Sequence, residues 1–464
     1  MHEETKEITQ MILDAAKQAR EETKNAPEVA LGSAIEWPIQ CSIGPGLEGA
    51  IACESGVGYV NGSKGWLVYR GYDIFDLCAY STFEEVCYLL LHGKLPSAAE
   101  LKDFKETLAT LRHVPKTLRL MMSFPVQEMN TMAALRLGTM MLRQSKTLRD
   151  QDQWRPSPES AIASDEDSMA MEVPPWGDKQ AVYEFKQGLG GNELEPNREV
   201  NLAASYRLIA AEATIAASIS RLRRNKLPLG PDSELSHAAN FLYMMTGRRP
   251  TPLEERVMDV ALILHADHGM NASTFASMVV ASTLSDIYFS VGSGIAALNG
   301  PLHGGANEQV LRTLETIGTP DRAEEWYRQA REAKKKITGF GHRVYKAYDP
   351  RARILGPLAK HLAHENSEGR RLYQMYQTAE SLEKLVVADL GAKKKIFPNV
   401  DFYSGIVYKA MGIEPEMFTP IFAVSRVSGW TARILEYLEN NRIFRPRAAY
   451  TGPLNLKYTP VDER

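Results

Sequence analysis

Three histidines in the second half of the 464-residue chain lie in motifs that suit acid–base chemistry. His268 ends the string LHADH, His303 lies in GPLHGGANE, and His342 lies in GFGHRVYK. Glycine neighbours let a ligand approach the backbone closely, and an imidazole titrates near neutral pH. We expect His303 to lie at a helix N-terminus, where the positive end of the helix dipole lowers its pKa and favours the neutral, hydrogen-bond-donating ring.

His265 and His268 form a second pattern, because residues three apart share one face of a helix. A zinc-binding pair on a helix is typically written HExxH with a catalytic glutamate, and that pattern is absent. Two interpretations remain open at this point. The pair is structural, or one histidine binds an anion at a helix end.

Asp401, in the string PNVDFYSG, is the candidate general base. Apolar and aromatic neighbours desolvate a carboxylate, which raises its pKa and its basicity. The alternative is an aspartate that only caps a helix.

Lysine and arginine are concentrated around His342, from residue 334 to residue 351. A charge run often forms a solvated helix face, but the interruption Gly-Phe-Gly-His favours recognition of phosphate or carboxylate. Further cations follow at Lys393, Lys394, Lys395, Arg426, Arg445 and Arg447. Together with the histidines and the aspartate, these cations indicate acid–base chemistry on a multiply charged anionic substrate. The sequence shows no metal-ligand cluster, serine or cysteine nucleophile motif, Walker loop or dinucleotide fingerprint.

The elements that must position these residues are predicted to be mainly helices, because apolar residues recur at helical spacing along most of the chain. Met278–Leu298 is predicted as one packed core helix that does not span a membrane. A strand pair is predicted at Ile51–Val60 and Trp66–Tyr69, around the Asn-Gly turn. The other clear helical segments are Phe83–His92, Ala98–Leu111, Arg207–Leu222, Leu253–Ala266, Leu372–Leu390 and Trp430–Leu438.

The chain carries 54 Lys+Arg and 57 Asp+Glu, a formal charge of −3, and 44% of its residues are hydrophobic. These values are typical of a globular protein and exclude a broadly basic nucleic-acid binder and wholesale disorder. The segment 150–199 alone has twelve acidic and four basic residues, so the remainder of the chain sums to +5. We expect this acidic segment to be a long exposed loop inserted into the fold.

The compartment is predicted from the N-terminus and the cysteines. Met1–Lys24 has the pattern of a charged amphipathic helix, without the apolar core of a signal peptide and too rich in glutamate for a mitochondrial transit peptide. Cys41, Cys53, Cys78 and Cys87 fit neither a zinc site nor a disulfide framework, so we expect reduced thiols. A cytoplasmic location follows as the expectation.

The strings GPLHGGANE, GFGHRVYK with DPRA, and PNVDFYSG together resemble those of the citrate synthase family. The resemblance covers roughly 48–148 and 200–455 and includes the run from Gly56 to Ile74 and the string LLLHG. It implies a mainly α fold, in which a large helical domain (48–303 and 407–464) faces a smaller one (304–406) that closes over the active site. Residues 1–47 would be an N-terminal extension, and the acidic segment has no counterpart in the usual family pattern.

The resemblance also assigns roles at matching positions. Asp401 would remove a proton from the methyl group of acetyl-CoA, and His303 would hydrogen-bond the thioester oxygen. His342 would protonate the ketone oxygen of oxaloacetate as the new carbon–carbon bond forms. Hydrolysis of citryl-CoA would then release citrate and CoA, with acetyl-CoA as a co-substrate and without a metal or a resident cofactor.

Substrate contacts are likewise implied by the resemblance. His268, Arg351 and Arg426 would hold the oxaloacetate carboxylates, and Arg445 would do so from the second subunit of a homodimer. By analogy Phe422 would pack beside the reacting thioester. Arg343, Lys346 and Lys394 are the cations expected near the phosphates of CoA.

Three alternative functions remain at this level. A 2-methylcitrate synthase would use propionyl-CoA with the same residues, and one methylene group is a small difference for a pocket to recognise. A non-catalytic CoA-binding paralogue and a metal-dependent hydrolase built on His265 and His268 are the others. The helical N-terminal segment differs from the β-rich module of hexameric, NADH-inhibited family members, which favours a dimer without NADH control.

Overall fold

The computed structural model describes residues 3–26, 39–144, 198–365, 369–456 and 458–464, and the fold is mainly α, as predicted. Most of the acidic segment 150–199 therefore lies outside the described residues. In chain order the helices are α1 Glu3–Thr23, α2 Ile74–Tyr80, α3 Phe83–His92, α4 Ala98–Leu111, α5 Pro115–Met122, α6 Thr131–Gln144, α7 Arg198–Arg223, α8 His237–Thr246, α9 Pro252–His265, α10 Ala272–Ser282, α11 Ile287–Leu298, α12 Ala306–Ile317, α13 Ala323–Glu332, α14 Pro350–Glu365, α15 Gly369–Val386, α16 Val400–Ala410 and α17 Phe418–Leu438. Short helical turns lie at Pro45–Leu47, Pro320–Arg322, Val387–Gly391, Ala392–Lys394, Pro415–Met417 and Val461–Glu463.

Local chemistry explains why two predicted helices have the predicted bounds. Helix α3 begins after Thr82, whose hydroxyl accepts a hydrogen bond from a backbone N–H of the first turn, and ends at Gly93 in the left-handed conformation. Helix α4 begins with a reciprocal capping box between Ser97 and Glu100. The N-terminal helix is also confirmed, and α1 packs its apolar face against α2 and α14.

The single core helix predicted over Met278–Leu298 is wrong. The chain forms α10 and α11 instead, separated by a short connection in which Leu284 has a positive φ of 64°. Asp286 accepts hydrogen bonds from the backbone N–H groups of Tyr288 and Phe289 and starts the second helix. The two helices pack against each other, so the apolar residues are buried by a hairpin of helices.

The described residues form one three-stranded antiparallel sheet, with β1 at Gly58–Asn61, β2 at Trp66–Tyr69 and β3 at Tyr72–Asp73. The strand predicted from Ile51 is shorter than expected. The chain before β1 is held by a side chain of α17 rather than by a strand, because Glu436 accepts hydrogen bonds from Ser55 Oγ (2.6 Å) and Gly56 N (3.1 Å).

The core of the fold is built around α7 and α17, which pack against each other. Helix α7 is long and apolar enough to cross a membrane by length and composition, but 78% of its most apolar 18-residue stretch is buried inside the fold. It is therefore a core helix, and the helical prediction for Arg207–Leu222 is confirmed. Helix α17 begins at Phe418, twelve residues before the predicted start, and carries Arg426 on its buried surface.

Candidate active site

His268 lies in the loop after α9, because that helix ends at His265. The expectation of a shared helical face is therefore wrong. Beyond the helix end the backbone is held by Tyr69, whose hydroxyl donates to the Asp267 carbonyl (2.8 Å) and accepts from the Asp267 N–H (3.2 Å). The His268 ring is buried, with Nε2 3.2 Å from the Tyr345 hydroxyl.

His265 has a packing role in the described structure. Its ring is completely buried, its Nε2 lies 2.6 Å from the Tyr408 hydroxyl, and it stacks on Phe422 with 3.7 Å between ring centroids. Burial holds its pKa well below the usual value, so the ring is neutral. These contacts favour the structural interpretation of His265.

His342 is a neutral histidine with a defined tautomer. The backbone N–H groups of Val344 and Tyr345 both point at its Nδ1, at 3.0 and 3.2 Å. Because a backbone amide only donates, Nδ1 accepts and the proton lies on Nε2. Burial lowers the pKa of His342 to about 4, against a smaller opposing effect of Asp349. Its ring centroid lies 5.1 Å from that of His268.

His303 lies just before α12, in the predicted neighbourhood of a helix start. Burial lowers its pKa to about 4, with a further contribution from Arg426, so the predicted direction is confirmed but desolvation is the main cause. Its Nε2 faces the start of a different helix, α10, where the Ser273 N–H donates to it (3.2 Å) and the Ser273 hydroxyl lies 2.8 Å away. The neutral ring thus carries its proton on Nδ1, which is free to donate to a ligand.

Asp401 lies in the first turn of α16, and the capping role belongs to its neighbour Asn399, which accepts from the Asp401 N–H at 3.0 Å. Burial raises the pKa of the Asp401 carboxyl to about 6, although the charges of Arg351 and Arg426 act in the opposite direction. The expected increase in basicity is confirmed. A carboxylate with this pKa is ionised at neutral pH and is a stronger base than an exposed aspartate.

Two buried arginines connect these groups electrostatically. The Arg426 charge lowers the pKa values of His268, His303 and Asp401, and the Arg351 charge lowers those of His268, His342 and Asp401. Arg351, near the start of α14, and Arg426, on α17, therefore act on one shared electrostatic centre. That centre combines two guanidinium groups, a carboxylate and neutral imidazole donors in a buried environment.

The other predicted site residues lie around or away from this centre. Phe422 is partly buried against His265, while Arg343, Lys346 and Lys394 are exposed. Arg343 pairs with Glu48 at 3.4 Å. Arg445 is exposed in the segment that follows α17, so its assignment to a second subunit stays a prediction.

The sequence reasoning missed several buried partners of the site. Asp349 forms a two-point ion pair with Arg351 (3.0 and 2.8 Å), and Asp267 forms one with Arg433 (2.7 and 2.8 Å). Tyr345 lies beside both His268 and His342. The position of Asp349 in the DPRA string is a signal that could have identified it, whereas the distant Arg433 has no local signal.

Comparison with known proteins gives one consistent result. The family model described as "Citrate synthase, C-terminal domain" matches residues 46–447. The chain belongs to the citrate synthase family. The citrate synthase of Deinococcus radiodurans is 42% identical over 423 residues, which cover 91% of this chain and 99% of that protein.

Solved citrate synthase structures share the fold. The enzyme from Pyrobaculum aerophilum superposes with a TM-score of 0.74 at 39% identity, covering 94% of this chain and all of the other. The enzyme from Thermoplasma acidophilum was solved as a ternary complex with carboxymethyl coenzyme A and oxaloacetate. It superposes with a TM-score of 0.76 at 32% identity, and the match covers 92% of this chain and all of the Thermoplasma chain. The mainly α fold predicted from the sequence is that of citrate synthases.

Proposed function

We propose that this chain condenses acetyl-CoA with oxaloacetate and hydrolyses the citryl-CoA formed, with Asp401, His303 and His342 as the catalytic residues. The observation that carries the proposal is the shared centre of Arg351, Arg426 and these three groups in a member of the citrate synthase family. A dicarboxylate substrate suits guanidinium groups, which bind carboxylates by two parallel hydrogen bonds.

The first step is proton removal from the methyl carbon of acetyl-CoA. That proton is weakly acidic, so its transfer requires a strong base and simultaneous stabilisation of the enolate oxygen. The Asp401 carboxylate takes the proton, and His303 donates a hydrogen bond from Nδ1 to the oxygen. The neutral state of His303 suits this role, because its pKa lies near 4 and the ring does not carry a charge at neutral pH.

The second step forms the carbon–carbon bond. The nucleophilic methylene carbon attacks the ketone carbon of oxaloacetate, and the ketone oxygen takes the proton from His342 Nε2. The proton that Asp401 removed from the methyl group balances this transfer, because it restores the neutral His342 ring. Arg351, Arg426 and His268 hold the substrate carboxylates in this geometry. Water then adds to the thioester carbonyl of citryl-CoA, and the carbon–sulfur bond breaks to release the CoA thiol and citrate.

Acyl-CoA preference is the first test of this function. We expect acetyl-CoA to exceed propionyl-CoA in kcat/KM by about 10- to 200-fold, the discrimination that one methylene group supports in a fitted pocket. Thiol release is followed with purified enzyme and oxaloacetate in the presence of a chelator, because the proposed chemistry uses neither a metal nor a resident cofactor. Reactions without oxaloacetate are the control.

Two outcomes of this assay would contradict the proposal. A preference for propionyl-CoA would assign the chain as a 2-methylcitrate synthase. Absence of thiol release with either acyl-CoA would instead indicate a non-catalytic CoA-binding protein.

We propose further that the enzyme is a homodimer in which Arg445 completes the site of the partner subunit. The segment after α17 supports this proposal, because most of it lies outside helices and strands and it exposes large apolar side chains that a second subunit could cover. These are Ile443, Tyr450, Leu454, Leu456, Tyr458 and Val461.

Subunit mixing tests the position of Arg445. Arg445→Ala and Asp401→Asn are each expected to be nearly inactive alone, and mixing dissociated subunits is expected to restore roughly a quarter of wild-type activity if sites are shared between subunits. A mixed dimer then contains one site with both lesions and one intact site. No recovery, in a mixture shown by mass to contain mixed dimers, would place Arg445 in the site of its own chain.

Compartment and pathway complete the proposal. Cys78 and Cys87 are buried free thiols, and free thiols are usual in reducing compartments. We propose a cytoplasmic enzyme whose citrate enters the tricarboxylic acid cycle, without a nucleic-acid or membrane partner. The near-neutral total charge of −3 supports the exclusion of a nucleic-acid partner.

A further inference from the structure

The hairpin formed by β1, β2 and the turn 62–65, called here the N-terminal hairpin, contacts both loops that carry the candidate substrate histidines. One loop holds His268 and the other holds His342. These loops are far apart in sequence, and the hairpin is distant in sequence from both. Its contacts therefore bear on how the two rings come to lie 5.1 Å apart.

The base of the hairpin packs against the His268 loop. The Gly58 carbonyl accepts a hydrogen bond from Arg433 (3.1 Å), the same side chain that holds the Asp267 carboxylate. A Cβ at Gly58 would lie 2.5 Å from that carboxylate, so the strand backbone approaches as closely as glycine allows. Tyr69, in the paired strand, binds both backbone groups of Asp267. The residue before His268 is thus held from both strands.

The tip of the hairpin packs against the His342 loop. The Gly62 carbonyl accepts hydrogen bonds from the backbone N–H groups of Lys346 (2.8 Å) and Ala347 (3.2 Å). A Cβ at Gly62 would lie 2.0 Å from the carbonyl oxygen of Val344, which is a backbone atom that cannot rotate away. The contacted segment begins two residues after His342, and the N–H of Val344 is one of the two groups that fix the His342 tautomer.

We propose that the N-terminal hairpin is a positioning element that sets the distance between His268 and His342, with Gly62 as the residue on which this depends. The proposal rests on the proposed function, because it concerns how that reaction's oxaloacetate-binding groups are held. A two-strand hairpin with paired backbone hydrogen bonds keeps its base and tip at a defined separation. When both ends are in contact with their loops, as in this structure, the hairpin therefore sets the distance between the two loops.

Gly62→Ala tests the proposal, because the added methyl group forces the hairpin tip away from the His342 loop. Gly62 is not in the left-handed region, so alanine introduces the steric contact without backbone strain of its own. We expect kcat/KM for oxaloacetate to fall by about 100-fold, the effect of misplacing reacting groups by about 1 Å, with a higher KM for oxaloacetate contributing to the fall.

The KM for oxaloacetate distinguishes positioning from a general loss of stability. A variant that is only less stable contains fewer active molecules, which lowers the apparent kcat and leaves KM unchanged. Gly230→Ala is the matched control, because its added Cβ meets no atom within 4 Å and its backbone is not in the left-handed region. We expect wild-type kinetics from this control.

If Gly62→Ala folds and has the same KM for oxaloacetate as the wild-type enzyme, the proposal is overturned. The proposed function is tested separately, by the activity of the wild-type enzyme itself. If Gly62→Ala fails to fold, Asn61→Ala decides. The Asn61 side chain accepts hydrogen bonds from Ser63 Oγ (2.8 Å) and Lys64 N (3.0 Å), so its removal loosens the turn without adding atoms. A raised KM for oxaloacetate supports the proposal in that variant, and an unchanged KM overturns it.

Discussion

Replacing Asp401 with asparagine is expected to lower kcat by about 10²- to 10⁴-fold, the usual contribution of a positioned general base. Asparagine keeps the size of the side chain and removes the group that accepts the methyl proton. Steady-state kinetics at pH 8 measure the loss, since the wild-type carboxylate, with its pKa raised by burial to about 6, is ionised there. The KM values should change much less than kcat, because the substrate-binding arginines remain.

Stability distinguishes this loss of activity from unfolding. The pKa of Asp401 is raised on folding, so the folded state is favoured below the ordinary aspartate pKa and this contribution is lost as pH rises through about 6. Asparagine is neutral at every pH. At pH 8 the free energy of unfolding of the variant should therefore exceed that of wild type by on the order of 1–3 kcal/mol, and the variant should unfold at a higher temperature. The difference should vanish near pH 4.

Asp76→Asn is the matched control for this variant. Asp76 also lies in the first turn of a helix, α2, but it is exposed and away from the site. Wild-type kcat is expected from the control. In the wild-type enzyme kcat/KM for acetyl-CoA should rise with pH through about 6 as Asp401 of the free enzyme ionises. An Asp401→Asn enzyme with near-wild-type kcat would remove Asp401 from the role of base.

The candidate site residues were predictable because their motifs are local strings. The GPLHGGANE and PNVDFYSG strings identify His303 and Asp401 from a few neighbours each, and the apolar neighbours of Asp401 predict its raised pKa. Helices with strong caps, such as α3 after Thr82, were predictable for the same reason. Each of these features depends on interactions within a few residues of chain.

Features that depend on distant contacts were not predictable from local patterns. His268 lies beyond the end of the helix that carries His265, in a loop whose Asp267 backbone is bound by Tyr69, almost two hundred residues earlier. The His303 tautomer depends on Ser273, at the start of another helix. Helical periodicity also runs through the connection between α10 and α11, where a positive φ at Leu284 and the Asp286 cap separate two helices of similar hydrophobicity.

His303→Ala is expected to lower kcat by about 10²- to 10³-fold, the loss found when one hydrogen-bond donor to a developing oxyanion is removed. His303 Nδ1 is the donor available for the enolate oxygen, because Nε2 accepts from the Ser273 backbone. The enolate exists only along the reaction path, so we expect the loss in kcat rather than in the KM for acetyl-CoA. Steady-state kinetics with both substrates measure this division.

A double variant sharpens the assignment of His303, because Asp401 and His303 act in the same step. Removing both should cost little more than removing the more important one, since residues that work as a unit have non-additive effects. His92→Ala is the control for deleting a partly buried imidazole, because His92 stacks on Tyr88 (4.1 Å between centroids) and bonds to Tyr206 (2.6 Å), away from the site. We expect the control to unfold at a lower temperature but to keep wild-type kcat. If His303→Ala keeps its kcat as well, the thioester oxygen must be stabilised by another group, and the proposed role of His303 is wrong.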